Sequence, residues 1–206
     1  MIQTERSIRE AFQYRGCPIC YVLDEDEEYF MAQLQYRTIK EDSTRQEIVA
    51  SNGYCNFHFY ELARLSSPMV NAVLTKNLIE REIIEIESRS LESNWGIDCS
   101  VCRYIEERQT LFLREFETLL RDQTFRREYE GTDGLCRIHL KKVLNSLKEE
   151  EVLQFLLSTQ GMHLKLLKLE LEAFISKVRS TSRDMGPEKD AWWVAIEKRV
   201  GKKGLK

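Results

Sequence analysis

All six cysteines of this 206-residue chain, and two of its three histidines, fall into two evenly spaced sets. The first is Cys17-Pro18-Ile19-Cys20 followed by Cys55-Asn56-Phe57-His58, and the second is Cys99-Ser100-Val101-Cys102 followed by Cys136-Arg137-Ile138-His139. Each set supplies three thiols and one imidazole, a complete shell for one tetrahedral ion. In C-x-x-C two thiolates flank a tight turn and point at one centre. In C-x-x-H the ligands lie one helical turn apart and share a face. Zn²⁺ favours this donor set in closed structural sites, so two Zn²⁺ are expected. The same donors suit two iron–sulfur clusters, the alternative reading, in which the chain is an electron-transfer or sensor protein. A thiol–disulfide oxidoreductase is disfavoured, because no strand of a βαβ unit precedes either C-x-x-C.

A filled four-ligand shell leaves no position for water or substrate, which Lewis-acid hydrolysis requires. The sequence contains no Gly-rich phosphate loop, no H-E-x-x-H and no G-x-S-x-G. His163 is the one histidine outside the sets. It falls off the apolar stripe of its segment and is expected to be an ordinary exposed residue. The residues therefore favour a metal-binding helical scaffold over an enzyme.

The elements that must position these ligands read as helices. Leu, Glu, Lys and Arg are abundant, Gly and Pro number only nine and three, and strand-like alternation is scarce. Helical patterns cover residues 4–15, 20–40, part of 40–51, the stretch after Cys55, and 68–91, the last capped by Ser67 with Pro68 at its first position. Val70, Val73, Ile79, Ile83 and Ile86 are expected to form a buried stripe on that last helix. The acidic run Asp24 to Glu28 reads as a solvated helix face, with a carboxylate-rich metal site as the sharper reading. A long helix over 149–179 carries Leu153, Leu156, Gln160, Leu164, Leu167, Leu171, Phe174 and Val178 at three- and four-residue steps. That pattern reads as a core seam, with a homodimer coiled-coil face as the alternative. Ser180 to Met185 reads as a linker. It leads to a short helix bearing Trp192, Trp193, Ile196 and Val200, and then to a basic tail.

The chain is internally duplicated. Cys17 to Cys99 and Cys20 to Cys102 are offsets of 82, while Cys55 to Cys136 and His58 to His139 are offsets of 81. Phe30 matches Phe112, Leu34 matches Phe116, and Gly53 matches Gly134 in the same register. The expected architecture is an all-α helical bundle: a first unit over 1–91, a second over 92–180, and a C-terminal segment over 181–206. Each unit is expected to close its own quartet, although closure of one C-x-x-C on the other C-x-x-H is also open.

Net charge is −3, so no global basic field draws in nucleic acid. A protein partner is expected ahead of a nucleic-acid one, since the basic tail lacks an aromatic platform. No apolar run approaches the roughly 20 residues of a membrane span. The charged N-terminus does not resemble a secretion signal, and six cysteines without a disulfide framework suit a cytoplasmic location.

The order of these motifs resembles an uncharacterised family of bacterial and archaeal helical proteins. Its members are similar to two units of C-P-x-C then G-x-C-x-x-H, closed by G-x-E-x-D-x-W. The last motif appears here as Gly186-Pro187-Glu188-Lys189-Asp190-Ala191-Trp192. Ser100 stands where that pattern commonly has Pro, which keeps both thiols. The resemblance implies duplicated ligand sets in a cytoplasmic prokaryotic protein, and implies no particular reaction. It makes Glu188, Asp190 and Trp192 candidate binding residues beside the reading of a helix cap and a buried indole.

Overall fold

The computed structural model describes residues 3–89, 98–180 and 185–204. The described residues form ten α-helices, one 3-10 turn and no strand. The helices are α1 (Gln3–Ala11), α2 (Pro18–Lys40), α3 (Asp42–Ala50), α4 (Asn56–Leu65), α5 (Pro68–Glu87), α6 (Ser100–Leu119), α7 (Gln123–Glu130), α8 (Arg137–Ser146), α9 (Glu150–Arg179) and α10 (Ala191–Val200), with the 3-10 turn over Pro187–Asp190. The expected continuation of α5 to residue 91 and the linker over 181–184 lie outside the described residues.

The sequence duplication is a structural one, since α2 to α5 are repeated by α6 to α9. Equivalent positions are buried in both copies. Val70 and Leu74 correspond to Val152 and Leu156, Ile48 to Tyr129, and Leu62 to Val143. Two helix starts show why these segments fold where they do. The Asp122 side chain accepts the Phe125 N–H at 2.7 Å, and the Ser67 side chain accepts that of Val70 with Pro68 opening α5, satisfying amides that have no partner within the helix.

The chain divides into two compact units that do not coincide with the sequence repeats 1–91 and 92–180. Unit 1 comprises Met1–Asp24 and Gln109–Lys206, and unit 2 comprises Glu25–Arg108. The boundaries fall inside α2 and inside α6, so each repeat contributes to both units. The described part of 181–206 belongs to unit 1.

Unit 1 is centred on an aromatic cluster. Phe116 meets Phe125 and Tyr129 edge-on at 5.6 and 5.3 Å, and Phe12 tilts against Phe125 at 5.2 Å. These are the offset geometries that ring quadrupoles favour. Helix α10 docks on α9 through Ala191 and Val194 against Leu167 and Leu171. Unit 2 has an aliphatic core of Met31, Leu34, Ile48, Leu62, Val70, Leu74, Val101 and Ile105.

Two expected faces are placed differently. On α5 only Val70 of the expected stripe is buried, and Ile79, Ile83 and Ile86 are about half exposed. Helix α5 has 20 residues, whereas its neighbours α3 and α4 have nine and ten. At about 1.5 Å per residue neither alone spans its length. On α9 the buried line is Val152, Leu156, Thr159, Gln160, His163 and Leu167, while Leu164 and Val178 are exposed. Gln160 is inside, as in the expected seam. The Gln160 amide accepts the Leu135 N–H at 3.1 Å and donates to the Leu135 carbonyl at 3.0 Å. His163 is turned in by its own partners, the Glu130 carbonyl and the Tyr129 ring, and Leu164 lies on the outer side.

His163 is thus buried, 4% exposed, which corrects the expectation of a surface residue. Its Nε2 lies 3.1 Å from the Glu130 carbonyl and its ring meets Tyr129 edge-on. Burial lowers its pKa and keeps the ring neutral. Its Nδ1 has no hydrogen-bond partner and faces Gly134, where a Cβ would lie 2.3 Å away.

Candidate metal centres

Every half-motif opens a helix. Cys55 and Cys136 are the N-cap residues of α4 and α8. Cys17 and Cys99 directly precede α2 and α6, and their carbonyls accept the first helical amides, from Tyr21 at 3.0 Å and Arg103 at 3.1 Å. The second ligand of each half-motif sits in the first turn, so both ligands leave one helix end on one side. Each centre is therefore built where two helix N-termini converge, and their positive ends favour thiolate. Pro18 at the first position of α2 fits the same geometry. Gly53 and Gly134, each two residues before a C-x-x-H cysteine, adopt φ of +84° and +76°, a conformation that glycine reaches without strain.

The eight ligands assemble across the repeats. Cys17, Cys20, Cys136 and His139 form one group, and Cys55, His58, Cys99 and Cys102 form the other. This corrects the expectation that each repeat closes its own quartet. Each repeat's C-x-x-C meets the other repeat's C-x-x-H, and each group lies wholly within one compact unit.

The two groups have matching internal geometry. In unit 1 the His139 Nδ1 lies 3.4, 3.4 and 3.3 Å from the sulfurs of Cys17, Cys20 and Cys136, and Cys20 and Cys136 are 3.7 Å apart. In unit 2 the His58 Nδ1 lies 3.2, 3.3 and 3.3 Å from those of Cys55, Cys99 and Cys102, and Cys55 and Cys102 are 3.6 Å apart. All donor atoms of a group fall within 4.8 Å of one another. Both rings present Nδ1 inward, leaving Nε2 for an outer partner.

As free side chains the groups share protons. Burial opposes charge on Cys17, yet hydrogen bonds from Cys136 and Cys20 and the His139 charge hold its pKa well below the ordinary thiol value. Burial likewise works against Cys99, but His58 and backbone amides bring it to about 6. Against the cost of burial, neighbouring thiolates raise His139 to about 9, and Cys99 with Glu27 raises His58 to about 10. Cys20 and Cys102 are pushed upward, Cys102 to about 12. The raised Cys20 and Cys102 resist ionisation unaided, so a fully ionised group would need a cation to balance it.

The outer partners of the two histidines occupy one repeat position, and sequence reading missed both. The Gln109 amide lies 2.9 Å from His139 Nε2 and also receives the Lys142 ammonium. The Glu27 carboxylate lies 3.5 Å from His58 Nε2. Gln109 follows Cys102 by seven residues, as Glu27 follows Cys20. The 82-residue offset was the available signal. A carboxylate at this position, as at Glu27, can accept the Nε2–H of a ligating imidazole and tune its basicity, whereas Gln109 turns its amide nitrogen to His139. Two others of the acidic run are engaged elsewhere: Asp24 pairs with Lys202, and Asp26 with Arg108.

Two further residues surround only the unit 1 group. The Lys198 ammonium is buried and donates to the Leu135 carbonyl at 3.0 Å. Burial lowers its pKa, while Cys17, Asp133 and Cys136 act in the opposite sense. Gly201 ends α10 against the centre. A Cβ there would lie 3.8 Å from the Cys20 sulfur and 4.0 Å from that of Cys136.

Glu188, Asp190 and Trp192 belong to neither group. Glu188 is buried, accepts the Gly186 N–H at 3.0 Å and pairs with Lys177 at 2.6 Å. The Lys177 contact and the local amides hold its pKa near 2. Asp190 is exposed, and Trp192 is half exposed against Trp193. The indole expected in the core is thus at the surface, and Ala191 takes the buried position beside it.

No helix of the described residues is long and apolar enough to cross a membrane. No curated protein and no solved structure matches the chain. Residues 5–97 match a family of unknown function (DUF6062), over a stretch that carries one C-x-x-C and one C-x-x-H, half of each metal-ligating group.

Proposed function

We propose that the protein is a zinc-stabilised helical scaffold, each Cys₃His group holding one Zn²⁺ in a closed structural shell. The donor spacing carries this reading. With Zn–S near 2.3 Å and Zn–N near 2.05 Å, tetrahedral geometry places sulfurs about 3.8 Å apart and sulfur and nitrogen about 3.6 Å apart. The observed 3.6 to 3.7 Å and 3.2 to 3.4 Å come within a few tenths of an ångström. Donors around a multinuclear cluster bind different iron atoms and are held apart by iron and sulfide, so touching donors favour a single ion. Three thiolates outweigh Zn²⁺ by one charge, and the buried Lys198 ammonium supports such an anionic centre in unit 1.

Each ion would clamp two helix N-termini and contribute on the order of 10 kcal/mol or more of folding free energy. The scaffold's exposed apolar residues on α9 and α10, Leu157, Leu164, Ile175, Val178, Trp193 and Ile196, support a role in binding a protein, with a second copy of the chain along 149–179 as one form of it. Metal analysis of protein purified anaerobically tests the reading. Two zinc ions per chain and a colourless solution are expected. Iron with acid-labile sulfide and visible absorption would replace it with the iron–sulfur reading.

A further inference from the structure

The two centres share a donor geometry and differ in their protection. In unit 1 the closest sulfur pair, Cys20 and Cys136, is sealed, with exposures of 1% and 0%. The end of α10 lies over it, with Gly201 against both sulfurs and the Lys198 ammonium buried nearby. In unit 2 the equivalent pair, Cys55 and Cys102, lies 3.6 Å apart and both residues are partly exposed. The outer charge also differs. Glu27 places a carboxylate beside His58 where Gln109 places a neutral amide beside His139. A thiolate that is accessible and set in a more negative surrounding is the better nucleophile toward a small neutral oxidant.

We infer that Cys55 and Cys102 form a modification site for peroxide-class oxidants, which convert this pair to a disulfide and eject the unit 2 ion while unit 1 keeps its own. This rests on the reading of both groups as metal centres. One zinc-bound thiolate attacks a peroxide oxygen, the O–O bond breaks, and a sulfenic acid and hydroxide form. The second thiolate then attacks the sulfenic sulfur, forming the S–S bond and releasing a second hydroxide. Overall, two thiolates lose two electrons, hydrogen peroxide accepts them, and two protons from solvent complete two waters. The centre is left with one thiolate and the imidazole, too few donors to retain Zn²⁺. The 3.6 Å sulfur separation leaves a closure of about 1.5 Å to bond length.

The test uses the intact, anaerobically prepared protein, with zinc counted first. Hydrogen peroxide is then added, a coloured chelator follows zinc release, and differential alkylation with mass spectrometry maps the cysteines over time. One zinc per chain is expected to leave at least about tenfold faster than the other, the factor that an opening cost of about 1.4 kcal/mol at unit 1 would impose. A Cys55–Cys102 disulfide is expected to appear with that first ion. Release of both ions together, earlier oxidation of Cys17, Cys20 or Cys136, or a Cys99–Cys102 disulfide overturns the inference with the metal reading intact. A protein that takes up no metal through unmodified ligands overturns both.

Discussion

Crossed closure of the metal-ligating groups makes a prediction that locally closed groups would reverse. Consider two double variants, Cys20→Ser with Cys136→Ser, and Cys20→Ser with Cys55→Ser. In the structure Cys20 and Cys136 serve one group, while Cys20 and Cys55 serve different ones. A structural zinc site is worth about 12 kcal/mol, so each of four ligands accounts for about 3 kcal/mol, or roughly a hundredfold in affinity. The C20S/C136S protein loses two ligands from unit 1, a weakening of about ten-thousandfold, and keeps one tight zinc in unit 2. That retained ion also reports that unit 2 is folded. The C20S/C55S protein loses one ligand from each centre and holds no zinc at wild-type affinity. Competition against a chelator of intermediate strength, with zinc counted per chain, separates these outcomes. One wild-type zinc in C20S/C55S and none in C20S/C136S would refute the crossed assembly.

Two glycines should respond to alanine with opposite signs in chemical denaturation of the metal-loaded protein. Gly134→Ala forces a side chain into φ +76° and onto His163 Nδ1, and should cost about 2–4 kcal/mol. Gly161 lies inside α9 with nothing within 4 Å of its missing Cβ, so Gly161→Ala should stabilise by up to about 1 kcal/mol. The Glu188 carboxylate has a folded pKa near 2, below its unfolded value. Its contribution is complete above about pH 4.5 and is lost as pH falls toward 2. The stability difference between wild type and Glu188→Gln, followed by denaturation across that range, should shrink accordingly; a difference independent of pH would reject the ion-pair account. Lys198→Met removes a buried ammonium beside an anionic centre, so zinc affinity should fall about tenfold in unit 1 and not in unit 2. Metal-free protein should not be destabilised in parallel, because there the ammonium carries its burial cost with less opposing charge.

Spacing alone picked out all eight residues that the structure gathers into two groups able to hold a metal ion, because C-x-x-C and C-x-x-H are local constraints: each half-motif is one helix start, and one turn of helix fixes it. Caps and breakers such as Ser67-Pro68 and Gly16 located most helices for the same reason. What was hidden is set by partners distant in sequence. The rotation of α9 follows His163, which reaches the Glu130 carbonyl and the Tyr129 ring, whereas apolar periodicity places Leu164 inside and His163 outside. The outer half of α5 has the pattern of a buried stripe but neighbours that are each too short to span the helix. Lys198 and Gly201 gave no local signal of a role, since their site is made by residues more than sixty positions away. Glu27 and Gln109 were readable in principle through the repeat offset, but one is acidic and the other neutral, which obscured the shared position.

Duplication makes local closure the default, because each unit could then be self-sufficient, and sequence neighbours also close smaller loops; the magnitude of that loop advantage shows why it does not decide the outcome. An ion in unit 1 would join Cys20 to Cys136 across 116 positions, where closure on Cys55 would span 35. Loop entropy scales as (3/2)RT ln n, so the longer loop costs only about 1 kcal/mol more. In unit 2 the span of 41 from His58 to Cys99 differs little from the 34 between Cys102 and Cys136, a difference of about 0.2 kcal/mol. Together these fall below the worth of a single ligand, so side-chain packing can readily outweigh them. Crossed closure also changes what the ions hold together. A locally closed quartet would stabilise its own repeat and leave the two repeats joined by packing alone. Here each ion would take two thiols from one repeat and a cysteine–histidine pair from the other. In this arrangement neither repeat completes a group by itself, so both candidate centres depend on the duplication.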